Sequence, residues 1–386
     1  MHIQRIQVPD FRALKNVDIT FEKEFTPRIF PIGSQNGGGK STLLQLIFVL
    51  LHCSGNPDRV EFIQNLLDGF HVNHESGKKT LAVIDIWDGS KTVRLDFFVC
   101  NESFIPKDNE VTEDNEHKVR RRSPRVNILK KHNLSDITNL NPRDNNSSNF
   151  GERLICQTND IDIVEIETFL TDLSNKMFLT AHISQIFLFL QPDNRKSLFK
   201  TQANNQTNYY QQIKTANSKL PGFFTYDFLA IDILVEAFKK ARDEDFKQAV
   251  EKGGNYGNNY VKLLAELNSI LINKKINVQP DLSGINFKID GDETELYPED
   301  LSHGELKRLC IYMWLKHNKI EDAIVLMDEL EISFHPDWQY QIVRDLEEWG
   351  ATNQYILATH SYELCNAVTP AHVKELDPKL QPRTIQ

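Results

Sequence analysis

Gly33-Ser34-Gln35-Asn36-Gly37-Gly38-Gly39-Lys40-Ser41-Thr42 is the stretch around which the 386-residue chain is organised. A short apolar run, residues 28–32, leads into it, and a strongly apolar helix candidate, residues 41–53 (STLLQLIFVLLHC), leads out. Strand, glycine-rich loop and helix in that order make a phosphate-binding loop. The glycines let the backbone curl so that successive N–H groups face inward. The helix start adds free N–H groups and partial positive charge. Asn36, Gly37, Gly38, Gly39, Lys40, Ser41 and Thr42 are therefore the candidate nucleotide-binding residues. Lys40 is expected to reach the β- and γ-phosphates and the Ser41 hydroxyl to hold Mg²⁺. Two features depart from the usual pattern. Ser34 stands where the first glycine is expected, with Gly33 one residue earlier. Pro31 falls in the incoming strand, where a missing N–H is unwelcome, and is placed at the strand's end. A glycine-rich turn that binds nothing is the bland alternative; three distant segments argue against it.

Apolar residues make up 40% of the chain and charged residues 25%, which suits a soluble globular protein. The length allows one large domain with insertions, or two domains. The N-terminal MHIQRIQVPDF lacks the apolar core of a signal peptide. The longest apolar stretch, residues 43–51, is interrupted by Gln45 and is too short to span a bilayer. A cytoplasmic protein without membrane contact is the expectation. Cys53, Cys100, Cys156, Cys310 and Cys365 are scattered and show no C-x-x-C spacing, which argues against a zinc site or a disulfide framework. The net charge of −10 confines any nucleic-acid surface to a local patch.

Residues 2–22 read as two strands, HIQRIQV and LKNVDITFE, turning at Pro9-Asp10. Residues 60–70 read as a short helix. Residues 80–87 and 92–99 read as a hairpin turned by Asp88-Gly89-Ser90, which places an antiparallel layer beside a parallel sheet. Residues 101–150 are rich in Asn, Asp, Glu, Ser and Pro and read as an exposed insertion. Within it lies a basic block: Lys118, Arg120, Arg121, Arg122, Arg125, Lys130 and Lys131. It is either an arm that docks on a DNA phosphate backbone or a solvated loop whose charge balances the acidic flank at Glu110, Glu113, Asp114 and Glu116. Residues 160–178 read as a helix, 185–190 (QIFLFL) as a buried strand running into Gln191, and 201–218 as a polar loop. Two helices, about 227–252 and 260–274, form a helical lobe, and a second small hairpin follows (INFKI and ETELY). The expected organisation is an ATPase core in two parts, 1–100 and 275–386, separated by the insertion at 101–158 and the helical lobe with its connecting strand at 159–274.

Leu301-Ser302-His303-Gly304-Glu305 opens a helix candidate, and Ser302 can both cap it and offer its hydroxyl to a phosphate. The pentapeptide resembles the signature of ABC-type ATPases, in the L-S-x-G-E form of the SMC, RecF and OLD-like branch. That branch includes anti-phage ATPase subunits such as those of the Septu and PARIS systems. The resemblance covers roughly residues 1–100 and 275–370. It implies an α/β fold of the ABC-type P-loop NTPase class, with a mixed sheet, an antiparallel β layer and an inserted helical lobe. Residues 323–327 (AIVLM) form an unbroken apolar run ending in Asp328-Glu329, the way a parallel strand delivers acids to the sheet's C-terminal edge. Asp328 is expected to coordinate Mg²⁺ and Glu329 to accept a proton from the attacking water. Residues 331–338 (EISFHPDW) resemble the family's D-loop, and His360, after the next strand, its switch histidine. Gln191 is either the family's Mg²⁺-contacting Q-loop glutamine or an ordinary polar residue at a turn.

The resemblance further implies that two copies, as a homodimer or a higher oligomer, enclose ATP and Mg²⁺ between one copy's phosphate loop and the other's Ser302, Gly304 and Glu305. FRALKNVDITF near the start, the His-Pro of the D-loop and Thr359-His360-Ser361 look most like DNA-repair and anti-phage ATPases. Relatives of this kind often carry a TOPRIM nuclease after the ATPase. Residues 361–386 leave no room for one, so an effector nuclease is expected on a separate chain. The expected output is DNA sensing or clamping that controls this effector; the alternative is an ATP-bound scaffold that sequesters an effector, with slow hydrolysis as a timer.

Overall fold

The computed structural model describes residues 1–72, 77–101, 134–140, 151–158, 160–161, 163–199, 205–226, 230–292 and 294–376. Two six-stranded sheets face each other across one helix. The first is antiparallel and contains β1 (His2–Phe11), β2 (Leu14–Thr20), β4 (Lys78–Trp87), β5 (Thr92–Asn101), β6 (Leu134–Asn139) and β7 (Glu152–Gln157), in the order β2-β1-β4-β5-β7-β6. The second is parallel and contains β3 (Ile29–Gly33), β8 (Met177–Ala181), β9 (Phe223–Thr225), β13 (Ile324–Asp328), β14 (Gln354–Thr359) and β15 (Lys374–Glu375), in the order β15-β3-β14-β13-β8-β9. Between them runs α1 (Lys40–Cys53), whose residues Leu43, Leu44 and Leu46–Leu51 are fully buried. A helix that is apolar all round needs cover on every side, and the two sheets supply it. Gln354 ties them together directly: its Oε1 accepts the Ile3 N–H at 2.7 Å and its Nε2 donates to the Ile3 carbonyl at 2.8 Å.

The parallel strands alternate between two cores. Phe30, Ile32, Ile324, Leu326, Ile356 and Ala358 face α1 and the antiparallel sheet. Ile29, Val325, Met327, Tyr355 and Leu357 face a helical layer on the other side. That layer holds α6 (Ala230–Glu251), α7 (Asn259–Ile270), α8 (His303–His317) and α9 (Pro336–Trp349). A small antiparallel sheet of β10 (Lys274–Val278), β11 (Ile285–Ile289) and β12 (Glu295–Leu296) leads into α8. The remaining described helices are α2 (Val60–Leu66), α3 (Ile163–Asn175), α4 (Pro192–Ser197), α5 (Asn205–Lys219) and α10 (Tyr362–Asn366). Cys53, Cys100, Cys156 and Cys310 are buried, Cys365 is partly exposed, and none of the five is in a disulfide.

Several sequence expectations are corrected. The first hairpin turns at Arg12-Ala13 rather than Pro9-Asp10, with Arg12 at φ 53°. Pro31 lies mid-strand, opposite Leu357. Tyr355 N–H donates to Arg28 O and Leu376 N–H to Gly33 O, so odd residues of β3 face β15. The two-residue β15 pairs only from Ile32 onward, so the missing Pro31 N–H faces an unpaired edge and interrupts no ladder. Within 101–158, β6 and β7 extend the antiparallel sheet beyond β5; the basic block from Lys118 to Lys131 lies outside the described residues. QIFLFL is no strand. Its Phe187, Phe189 and Leu190 are buried in turns, and the strand beside β13 is β8, in register Ile324↔Met177. The Asn/Gln-rich stretch expected as a loop is helical from Asn205, because Tyr209, Ile213, Ala216 and Leu220 form a sparse buried stripe at helical spacing.

Candidate functional site

β3, β13 and β14 end side by side, so their C-terminal ends deliver the phosphate loop, Asp328-Glu329 and His360 to one edge. Gly37 and Gly39 have φ of 81° and 92°, a region other residues rarely enter. Gly39 is the N-cap of α1 and offers no side chain to the helix's first N–H groups. Asn36 and Gly37 are exposed, Gly38 and Lys40 buried, and Ser41 and Thr42 intermediate. Lys40 Nζ donates to Ser34 O at 3.3 Å and to Ser34 Oγ at 3.1 Å, so the serine at the consensus glycine position steadies the lysine. The same Nζ lies 2.8 Å from His360 Nε2, across 320 residues of sequence. Burial lowers the Lys40 pKa, against the opposing pull of Asp328, Glu331 and Glu329.

Asp328 is 2% exposed. Burial pushes its carboxyl up to about 7; the Ser41 hydroxyl opposes this, Glu329 and Glu331 reinforce it, and Lys40 opposes it more weakly. Gln185 Nε2 donates to Asp328 Oδ2 at 2.8 Å, while Asp328 Oδ1 is buried with no hydrogen-bond partner. The amide at the carboxylates therefore belongs to Gln185. Gln191 is exposed at the N-cap of α4, where its Oε1 accepts from Asn194. The loop carrying Gln185 is held by the Tyr209 hydroxyl, which donates to the Gln185 carbonyl, and by Gln45 of α1, which accepts the Leu188 N–H. Gln45, the polar interruption in the apolar helix, thus has a structural use.

Glu329 has φ 50° and its N–H donates to Ala358 O of β14 at 3.0 Å. Left-handed backbone at a non-glycine residue costs energy and tends to mark functional positions. Glu331 accepts the His360 N–H on Oε1 at 2.7 Å, and its Oε2 is a second buried, unpartnered carboxylate oxygen. Sequence reasoning missed Ser34, Gln185 and Glu331 at this edge; each lay in a quoted motif, but only tertiary contacts bring it there.

Ser302 caps α8. Its Oγ accepts the Glu305 N–H at 3.2 Å, and Glu305 Oε2 accepts the Ser302 N–H at 3.0 Å, a closed capping box. Glu305 Oε1 accepts Lys274 Nζ at 2.6 Å. Burial pushes the Glu305 carboxyl up, but Lys274 and Ser302 overcome this and hold it below its ordinary range. A Cβ at Gly304 would lie 2.7 Å from the Ser333 carbonyl, so the bare Cα lets the helix start pack on the D-loop turn. Glu305 is thus committed inside its own chain, and the Ser302–Gly304 start rests on the D-loop.

The site fits a nucleotide with a divalent cation. The open start of α1 and Lys40 suit phosphate. The unpartnered Asp328 Oδ1 and the Ser41 hydroxyl suit a hard cation. Among the described residues no group of three or more His, Cys, Asp and Glu could hold a metal unaided. Mg²⁺, which commonly binds through one or two carboxylates plus substrate phosphates, would rest on Asp328, Ser41 and the nucleotide. No helix among the described residues is long and apolar enough to cross a membrane.

Residues 1–365 match the family described as AAA ATPase domain. The Retron Vc95 probable ATPase of Vibrio cholerae serotype O1 biovar El Tor is 31% identical over 156 residues, 34% of this chain and 30% of that protein. The Retron Ec83 probable ATPase of Escherichia coli is 36% identical over 51 residues, 13% of this chain and 9% of that protein. The matches thus span less than a third of either relative's length. Among solved structures, an SMC head bound to the C-winged helix domain of ScpA aligns over 95% of this chain and 93% of its own, at 12% identity and a TM-score of 0.41. The SMC head domain from Thermotoga maritima aligns over 95% and 92%, at 10% identity and a TM-score of 0.43.

Proposed function

The chain belongs to the AAA ATPase domain family, and from that premise we propose that it hydrolyses ATP with Mg²⁺ at the edge formed by β3, β13 and β14. One observation carries the reading: Lys40, Asp328 with Gln185, and His360 with Glu331 converge from segments far apart in sequence. The backbone N–H groups of the phosphate loop and Lys40 hold the β- and γ-phosphates. Asp328 and Ser41 hold Mg²⁺, which neutralises charge on the phosphate oxygens when bound. Glu329 takes the proton of the attacking water. His360 leaves Lys40 for the γ-phosphate and reports its presence. Catalysis on this reading is positioning and charge stabilisation, with little covalent chemistry for the protein.

Two copies enclose two nucleotides, the start of α8 in one facing the phosphate loop of the other. Exposed Ile332 in the D-loop turn and Tyr362 beside His360, 42% and 75% exposed, are the apolar surface such a pair would cover. ATP then holds the pair closed and hydrolysis opens it. On this reading the ATPase works with a separate effector, a nuclease, which it controls in response to DNA. The deciding experiment measures ATP turnover with and without duplex DNA at two salt concentrations. Stimulation that falls steeply with salt supports DNA sensing. Unchanged turnover with stable copurification of another protein favours the ATP-bound scaffold instead. No ATP turnover in any of these conditions overturns the proposal at its base.

A further inference from the structure

Lys307 lies in the first turns of α8 and is 3% exposed. Burying an ammonium is costly unless its donors are met, so what meets them defines its use. Nζ donates to the Glu329 carbonyl at 3.2 Å and to the Ile332 carbonyl at 3.1 Å, and lies 3.2 Å from His182 Nε2. It also sits 4.0 Å from the Tyr226 ring centroid. Both carbonyls belong to the turn after β13, the turn that carries Glu331. The Glu329 N–H is already fixed by Ala358 O on β14. Lys307 fixes the same residue's carbonyl. With both ends pinned, Glu329 stays at φ 50°, and that backbone conformation sets the direction of its Cα–Cβ bond.

We infer that Lys307 is a positioning residue: it holds Glu329 in left-handed backbone so that the carboxylate points at the attacking water, and it ties that carboxylate to the helix opened by Ser302. The inference rests on the proposed role of Glu329. A shift of α8 would be felt first at the Glu329 and Ile332 carbonyls. Lys307→Met keeps length and packing and removes the donor.

The test measures kcat and the affinity for a fluorescent ATP analogue with Mg²⁺, in the full chain, for Lys307→Met, Glu329→Gln and the double variant. Lys307→Met is expected to lower kcat by about tenfold or more with analogue affinity within about twofold, since misplacing a general base costs rate rather than binding. In the Glu329→Gln background, Lys307→Met is expected to change the residual rate by less than about twofold, because its effect passes through the carboxylate. A wild-type kcat for Lys307→Met overturns the inference, as does a full multiplicative loss in the double variant. Wild-type turnover by Glu329→Gln alone would instead overturn the role of Glu329 itself. Should Lys307→Met not fold, Lys307→Arg keeps the buried charge but cannot place one nitrogen between the two carbonyls. It is expected to lower kcat at unchanged analogue affinity, and a wild-type kcat there overturns the inference equally.

Discussion

The starts of α1 and α8 are both helix N-termini suited to anions, and they are finished in opposite ways. At α1, Gly39 provides no side-chain cap and no acidic residue sits in the first turn. At α8, Ser302 and Glu305 close a reciprocal box and Lys274 neutralises the carboxylate. Free N–H groups at a helix start need a partner. The chain supplies that partner at α8 and leaves it to a ligand at α1. On the proposed function, nucleotide affinity belongs to the phosphate loop, and the start of α8 contributes when a second copy docks on it.

The sharpest way to break this contrast is Lys40→Ala. ATP binding by equilibrium dialysis is expected to vanish, and retained binding would move the nucleotide away from α1. Glu329→Gln is expected to keep binding and lower turnover by about 10²–10⁴-fold, trapping an ATP-bound pair visible by light scattering. A third effect concerns charge in the nucleotide-free protein. With its pKa raised to about 7, the native Asp328 carboxyl keeps its proton between about pH 4 and 7, where the unfolded chain has released it. Stability is thus highest below the unfolded pKa and falls as pH rises through 7. Asp328→Asn should melt higher than the parent at pH 8, by on the order of a few kcal/mol in unfolding free energy, with the gap closing toward pH 4. An equal gap at both pH values would deny Asp328 its buried, protonated state. Gln185→Ala is expected to cut turnover by about tenfold and Gln191→Ala by less than about twofold, on the general scale of lost active-site hydrogen bonds; the reverse order would return the Q-loop role to Gln191. Smallest, Ser302→Ala should cost about 1 kcal/mol of stability and leave the ATP affinity of the single chain unaltered.

The strand ends were legible because each carries a strong local pattern: glycines before Lys40, an apolar run before Asp328-Glu329, and a second run before His360. The amide partner of Asp328 was not. QIFLFL has a more strand-like composition than MFLTA, and only the register of Ile324 with Met177 decides which run lies in the sheet. α5 was hidden because its stripe of Tyr209, Ile213, Ala216 and Leu220 is diluted by Asn and Gln. Nothing in the sequence sets Lys307 apart from any other helical lysine. Its burial depends on carbonyls of a turn more than twenty residues away, and no periodicity announces that.

The bridge between Gln354 and Ile3 spans 351 residues of sequence. During synthesis, α1 emerges before most of both its covers: β4 to β7 of the antiparallel sheet follow it, and β13, β14 and β15 of the parallel sheet come last. A greasy helix must then wait for most of the polypeptide before it is enclosed. Long-range pairing of this kind is slow and leaves sticky surface exposed meanwhile. Production of this protein should therefore reward slow translation and chaperone supply, and fragments ending before β14 should aggregate.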